Sequence, residues 1–445
     1  MKKGKGLERK IGSGKTIEEV VKSNLCTGCG TCVGICPEYA LEMVIDHRKD
    51  IYTPQVHKGE CNECGLCLEV CPGHSVDFRE LNLDFFGKEP EDILLGNYLK
   101  CYIGYATNYK IRYNSASGGL VTALLLFALE EGMIDGALVT KMSEDNPLEP
   151  QPFIATTREE IISAAKSKYC PVPANIALKE ILKKEGKFAI VGLPCHIHGI
   201  RKVELVNKKL RDRIVLHLGL FCSSPMTFKG TDFVLQKYRL TKENIAHLDY
   251  RGEGWPGYMR IQFKDGAEKL IPKSEYGIFH GLGFFTPSRC ALCCDQINEL
   301  ADISLRDAFL PEFEEDRIGT SVIICRSKAG ENLLQHATGK GKIALWDIER
   351  QKVRLMESKK VSFPLNSRLA YLSCKKRPSY NTLLPKVGSI PIFLLLYAYT
   401  NVPLLYLNRF ISSRRQLRWL IEPMAILEQI VKKLGSKLVR LTRLK

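Results

Sequence analysis

The chain has 445 residues, enough for two or three domains with cores of their own, and its hydrophobic and charged fractions are those of a globular protein. Its 65 Lys and Arg outnumber its 49 Asp and Glu, a net charge of +16, and the excess collects toward the ends rather than among aromatic residues, which argues against a nucleic-acid surface. Seventeen cysteines follow a basic start, MKKGKGLERKIGSGK, that has no apolar stretch of a secretory leader. They are expected to be cytoplasmic thiolates holding metal, not disulfides.

In chain order, residues 1–18 read as a basic tail. IGSGKT (11–16) looks like the end of a phosphate loop, but Arg9 stands where the pattern needs glycine and no apolar strand precedes it. Residues 19–85 then hold two runs of C-x2-C-x2-C-x3-C-P. The first is CTGCGTCVGICP, with Cys26, Cys29, Cys32 and Cys36; the second is CNECGLCLEVCP, with Cys61, Cys64, Cys67 and Cys71. This is the bacterial two-cluster ferredoxin spacing, in which the fourth cysteine of each run serves the other cube. Cys26, Cys29, Cys32 and Cys71 are therefore assigned to one 4Fe–4S cluster, and Cys61, Cys64, Cys67 and Cys36 to the other. Gly28, Gly30 and Gly65 suit loops that turn backbone N–H groups toward sulfur. Zinc knuckles do not need the trailing Cys-Pro.

Residues 95–350 predict an α/β (mixed α+β) core. SASGGLVTALLLFALEEGMIDGALVT (115–140) reads as a glycine turn, an apolar helix, a stop at Gly132 and a buried strand. Helix and strand alternate through REEIISAAK, NIALKEILKKEGKFAIVGLPC and RIVLHLGLFC, and the last two apolar strands end in Cys195 and Cys222. The HIHG after Cys195 invites a Cys/His catalytic or zinc reading. Read as an extended segment, however, it turns His196 and His198 away from Cys195. GEGWPG (252–257) has the letters of a dinucleotide loop, yet runs into the strand-like YMRIQFKDG rather than a helix. Cys290 and Cys293 form half a cluster site. Cys195 and Cys222 would bring the number to the four thiolates that a third cube needs, although spacing alone does not establish that they meet.

SGGLVTALLLFALEEGMIDGALV, SKYCPVPAN, GLPCHIHGIRK, LGLFCS, RGEGWPG and CALCCDQINELADIS together resemble the coenzyme F420 hydrogenase/dehydrogenase beta-subunit family. That family includes flavin-bearing subunits of deazaflavin-dependent complexes and the plant 7-hydroxymethyl chlorophyll a reductase. The resemblance spans about residues 20–350. It implies a flavin-binding core with FAD beside a 4Fe–4S cluster on Cys195, Cys222, Cys290 and Cys293. Cys294 falls outside the pattern and reads as a small neighbour, or else as a replacement ligand. For FAD, the helix start at Ser117, Gly118 and Gly119 offers N–H groups and a dipole to phosphate, with Thr122 one turn in. Lys168 would supply a cation and Asn175 an amide. Arg306 departs from the family, whose members often carry glycine there.

The implied chemistry is oxidation of reduced coenzyme F420, or its reverse, through FAD to clusters and a ferredoxin-like partner or partner subunit. The alternatives are a ferredoxin-driven reductase of an organic substrate and a non-catalytic electron-carrying subunit. Residues 351–445 form a C-terminal extension. Its uncharged stretch 387–408 predicts an interfacial or buried hairpin in preference to a membrane span. Residues 409–445, with ten Lys or Arg against two Glu, predict a basic amphipathic helical tail suited to an anionic membrane surface or an acidic partner.

Overall fold

The computed structural model describes residues 16–356, 359–360, 362–363, 376–384 and 392–428. The phosphate-loop look-alike, apart from Thr16, and the tail beyond 428 lie outside these.

Positive φ angles at Gly30 and Gly65 start two short helices, Thr31–Ile35 and Leu66–Glu69, which carry Cys32 and Cys67. An antiparallel hairpin, Leu41–Asp46 with Ile51–Val56, separates them. The module does not hang on a linker. Its Ile35, Val70, Phe78 and Leu81 share one buried cluster with Ile190, Ile197 and Ile200 of the core. Each such side chain, fully buried, contributes about 1.5–3 kcal/mol, so the two parts stabilise each other.

The core is an eight-stranded sheet. Its centre is four parallel strands in the order Ile303–Asp307, Ile214–Leu220, Phe188–Gly192 and Gly136–Met142. Their sequences are apolar runs because both faces are covered. Pro150–Ala155 closes one edge antiparallel; Ser321–Cys325, Lys100–Ala106 and Ile343–Asp347 extend the other. The helix Leu120–Glu130 is apolar almost all round, since it lies buried in the larger core cluster. A small antiparallel sheet, Ile245–Asp249, Tyr258–Phe263 and Glu268–Pro272, stands beside the main one. GEGWPG leads into its middle strand, with positive φ at Gly252, Gly254 and Gly257, and opens no helix.

Two expectations are corrected. HIHG is not extended: Pro194–Val206 is a helix, with Pro at its favoured first position, so Cys195 lies in a helix's first turn. Nor is the described part of 387–408, residues 392–408, a hairpin. Ile392–Ser413 is one helix that absorbs Pro403, then a 3-10 turn, Arg415–Leu420, and a helical segment over 421–428. Ile411, Ile421 and Ala425 pack on Phe279, Phe284 and Phe285, and Asn408 Nδ2 donates to Leu282 O and Glu428 Oε1 at 2.9 and 2.8 Å. Burial of this face docks the segment on the core. Among the described residues no helix is long and apolar enough to cross a membrane. The strand Ser379–Asn381 returns to pair in parallel with Ser75–Asp77.

Candidate functional site

The cysteines of the N-terminal runs fall into two groups in space. Cys36, Cys61, Cys64 and Cys67 line one hollow with Pro37, Leu41, Val56 and Leu66. Cys26, Cys29, Cys32 and Cys71 are buried. Burial, then the neighbouring Cys71, pushes the Cys26 thiol up to about 12. Burial and Cys29 push Cys71 up to about 11. Cys32 is raised well above the ordinary thiol value, by burial and then by Cys71, Cys29 and Cys26. Such thiols stay protonated at neutral pH and ionise only against a cation, which cluster iron provides. Backbone N–H groups are already turned to sulfur: Gly28 N donates to Cys26 Sγ at 3.4 Å, and Gly73 and His74 donate to Cys71. Both groups fit a 4Fe–4S cube.

The third set converges from three places. Cys195 opens the helix Pro194–Val206, Cys222 follows the strand Ile214–Leu220, and Cys290 and Cys293 flank the end of the 3-10 turn Ser288–Leu292. Their mutual influence marks them as neighbours. Cys195 is raised by burial and then by Cys29, Cys222, Cys290 and Cys293; Cys222 reaches about 12 through burial and through Cys290, Cys293 and Asp295. Cys195 thus neighbours both the N-terminal Cys29 and Cys222. Lys359, Arg289 and Arg409 lie close enough to offset charge at Cys290, as a cluster with four thiolates requires. Among the described residues no three His, Cys, Asp or Glu stand close enough for a single metal ion. A cube attaches each thiolate to a different iron, so its ligands stand farther apart. Cys294 is fully buried in the core cluster that contains Leu300 and Ala301.

Neither histidine of HIHG faces open space. His196 Nδ1 accepts from Leu193 N at 3.1 Å, Nε2 meets Val172 O at 2.9 Å, and burial holds the ring down at about 4, hence neutral. His198 Nε2 bonds Asp295 at 2.8 Å.

The flavin candidates divide. Ser117 Oγ donates to Thr320 O at 3.0 Å and meets Ser321 Oγ at 2.9 Å, while Gly118 N donates to Ser321 Oγ at 3.0 Å. A Cβ on Gly118 would stand 2.8 Å from Gly104 O, and Gly119 has φ +74°. Thr122 is buried one turn on. Lys168 Nζ donates to the carbonyls of Ala164 and Ala165 at 2.6 and 2.7 Å, and burial lowers it to about 8. Asn175 is elsewhere, in the seam with the N-terminal module, where its Nδ2 donates to Thr31 and to the carbonyl of His196.

Three residues at this edge escaped the sequence reading. Buried Arg251 donates to Ala116 O, next to the 117–119 turn, and to Asp307 Oδ2 at 3.3 Å; its Nε has no partner. Trp255 Nε1 donates to the same Asp307 oxygen at 3.1 Å. Asp307 ends a strand paired in parallel with the one that leads to Cys222, and Phe221 N donates to Leu305 O at 3.0 Å. Arg306 lies in that strand with ordinary extended backbone, its guanidinium over Phe221 and Phe309. The signal available in the sequence was the Arg directly before GEGWPG. The crevice at the carboxyl ends of the parallel strands is where open α/β sheets take ligands, and an orphaned guanidinium nitrogen beside a helix start fits a phosphate-bearing cofactor.

Fold and cysteine sets together define an iron–sulfur electron-transfer protein. Comparison carries this further. Residues 25–74 match the 4Fe-4S dicluster domain. Residues 101–179 and 185–351 match the N-terminal and C-terminal parts of the coenzyme F420 hydrogenase/dehydrogenase beta subunit. The chain belongs to this coenzyme F420 hydrogenase/dehydrogenase beta-subunit family. It is 28% identical over 269 residues to a coenzyme F420 hydrogenase subunit beta of Methanosarcina barkeri, covering 59% of this chain and 86% of that one. A coenzyme F420-dependent sulfite reductase of Methanocaldococcus jannaschii is 29% identical over 77% of this chain and 51% of its own length. One of the subunits of the F(420)H(2) dehydrogenase of Methanosarcina mazei is 24% identical over 81% and 92%. A solved chain of the F420-reducing [NiFe] hydrogenase complex from M. barkeri aligns at 26% identity over 62% of this chain and 93% of that one, with a TM-score of 0.49.

Proposed function

We propose that the protein is an iron–sulfur flavoprotein that passes electrons between reduced coenzyme F420 and a ferredoxin-like partner. The observation that carries this is a sequence of neighbours. Asp307, bound by Arg251, ends the strand that pairs with the one leading to Cys222, and Cys195 neighbours both Cys222 and Cys29 of the N-terminal module. FAD, when bound, would supply the exchange between a two-electron hydride donor and one-electron acceptors. The Ser117–Gly119 turn, Thr122, Arg251 and Lys168 would hold its phosphates; Asn175 takes no part. Cys195, Cys222, Cys290 and Cys293 would hold the nearest cluster, and the N-terminal eight the outlet. Oxidation of one reduced deazaflavin releases two electrons and two protons, and the electrons leave singly.

The test is anaerobic. Protein reconstituted with iron, sulfide and FAD should reoxidise reduced F420 with a viologen dye as acceptor. A chain that holds no flavin, or holds it and never oxidises reduced F420, would sink the reading. Turnover driven by reduced ferredoxin toward an organic or sulfur-oxide substrate would favour the opposite flow, for which the sulfite-reductase relative is the motive.

The C-terminal extension supports a peripheral contact with an anionic membrane surface. Phe410, Trp419, Ile426 and Leu427 are more than half exposed, Arg414 and Arg415 lie beside them, and the sequence beyond continues basic. Exposed apolar side chains interleaved with cations suit the headgroup boundary.

A further inference from the structure

The bonds around Cys29 give work to two residues that hold no metal. Cys29 Sγ and Thr31 Oγ1 are 3.1 Å apart, and Thr31 is fully buried. Thr31 Oγ1 also meets Asn175 Nδ2 at 2.8 Å, the same Nδ2 meets His196 O at 2.9 Å, and Asn175 N donates to Cys29 O at 2.9 Å.

The direction of each bond follows from what each group can do. A carbonyl oxygen only accepts, so His196 O requires the nitrogen, not the oxygen, of the Asn175 amide on its side. The amide nitrogen only donates, so Thr31 Oγ1 accepts from it and keeps its own proton for another partner. A ligating thiolate has no proton to give. Thr31 must therefore donate to Cys29 whenever Cys29 holds iron.

Glycines clear the space for this contact on both sides of the seam. A Cβ on Gly199, in the helix that Cys195 opens, would lie 2.2 Å from Thr31 Oγ1. One on Gly34 would lie 2.0 Å from Asn175 O, and one on Gly30 would lie 2.8 Å from Pro173 O. The approach of the two parts at this point depends on bare backbone at all three.

We infer that Thr31 and Asn175 are positioning residues that raise the reduction potential of the cluster held by Cys29 and tie it to the helix bearing Cys195. This rests on Cys29 and Cys195 being cluster ligands, as proposed above. A donor on a ligating sulfur stabilises the reduced, more negative cluster. The step it favours moves one electron: the cluster on Cys195 is oxidised by one unit and the cluster on Cys29 reduced by one, with no proton transferred.

The measurement is an EPR-monitored redox titration of full-length, anaerobically reconstituted protein, with iron counted in each sample. Thr31→Val should shift one cluster midpoint negative and leave the others in place; Thr31→Ser should restore it. Asn175→Leu keeps the hydroxyl but not its orientation, and should shift the same midpoint the same way by less. Full iron loading in Thr31→Val with every midpoint unmoved overturns the inference, as does a Thr31→Ser value shifted as far as that of Thr31→Val. If Thr31→Val fails to load iron, an unmoved midpoint in loaded Asn175→Leu overturns it. The titration needs neither FAD nor F420, so it stands if those proposals fail. Cys29→Ala that keeps all its iron would instead refute the ligand reading beneath it.

Discussion

Cys26, Cys29 and Cys32 sit on one loop and one short helix, and their partner run repeats the device, so their geometry is written almost entirely in local sequence. Cys195, Cys222, Cys290 and Cys293 come instead from a helix start, a strand end and a 3-10 turn. The N-terminal module holds its thiols by glycine turns and backbone N–H groups; the core holds its own by the register of parallel strands and by cations brought from elsewhere. One kind of site is assembled from residues a few positions apart. The other exists only if the sheet forms correctly, which ties it to the integrity of the core.

The largest expected effect separates the two directly. Cys195→Ala should remove about four iron atoms per chain and lower F420-driven dye reduction about a hundredfold or more, beyond the loss from an outer-shell change. Cys294→Ala, by contrast, should keep all its iron. Full iron in Cys195→Ala would dissolve the comparison. Next, Cys64→Ala should empty one N-terminal site, leaving dye reduction while ferredoxin reduction falls; iron analysis and the two assays read this out.

Within the crevice, Arg251→Met should weaken FAD retention about tenfold to a hundredfold, the worth of one hydrogen bond to a charged group, by flavin titration. Its melting curve shows whether the change is confined to binding. Lys168 sharpens the point through pH. Burial lowers it to about 8 from its ordinary 10.5, so in the folded chain it is uncharged above about 8. FAD affinity should fall as pH rises through 8, by about tenfold, and the dependence should vanish in Lys168→Met. Stability should move the other way. Between 8 and 10.5 the unfolded chain binds more protons than the folded one, so this group makes stability rise with pH. The smallest effect belongs to the extension: Arg415→Ala should weaken binding to anionic vesicles about fivefold, ~1 kcal/mol, without altering turnover.

How far the fold was legible follows the same division. The apolar helix 120–130, its stop at Gly132 and the buried strand after it stand in the sequence, because period and breaker agree. HIHG misled because a proline after a strand reads as continued extension, whereas Pro194 is the first residue of a helix. The uncharged 387–408 misled because Pro403 looks like a break, yet one helix, Ile392–Ser413, runs through it and packs on Phe284 and Phe285 beyond it. Asn175 was expected at a flavin and lies in a seam that only docking of the N-terminal module creates.

By itself the sequence determined the eight N-terminal thiols, the α/β class of the core and the family, since each is carried by residues a few positions apart or by ordered motifs. Tertiary structure alone decided that Cys195 neighbours both Cys29 and Cys222, that Arg251 reaches the carbonyl of Ala116 beside the 117–119 turn, and that Asn175 meets Thr31. Those pairs are separated by dozens to more than a hundred residues. No local preference encodes their meeting: the sheet and the elements packed on it bring together the pairs within the core, and the apolar cluster shared by module and sheet brings Cys29 and Thr31 to Cys195 and Asn175.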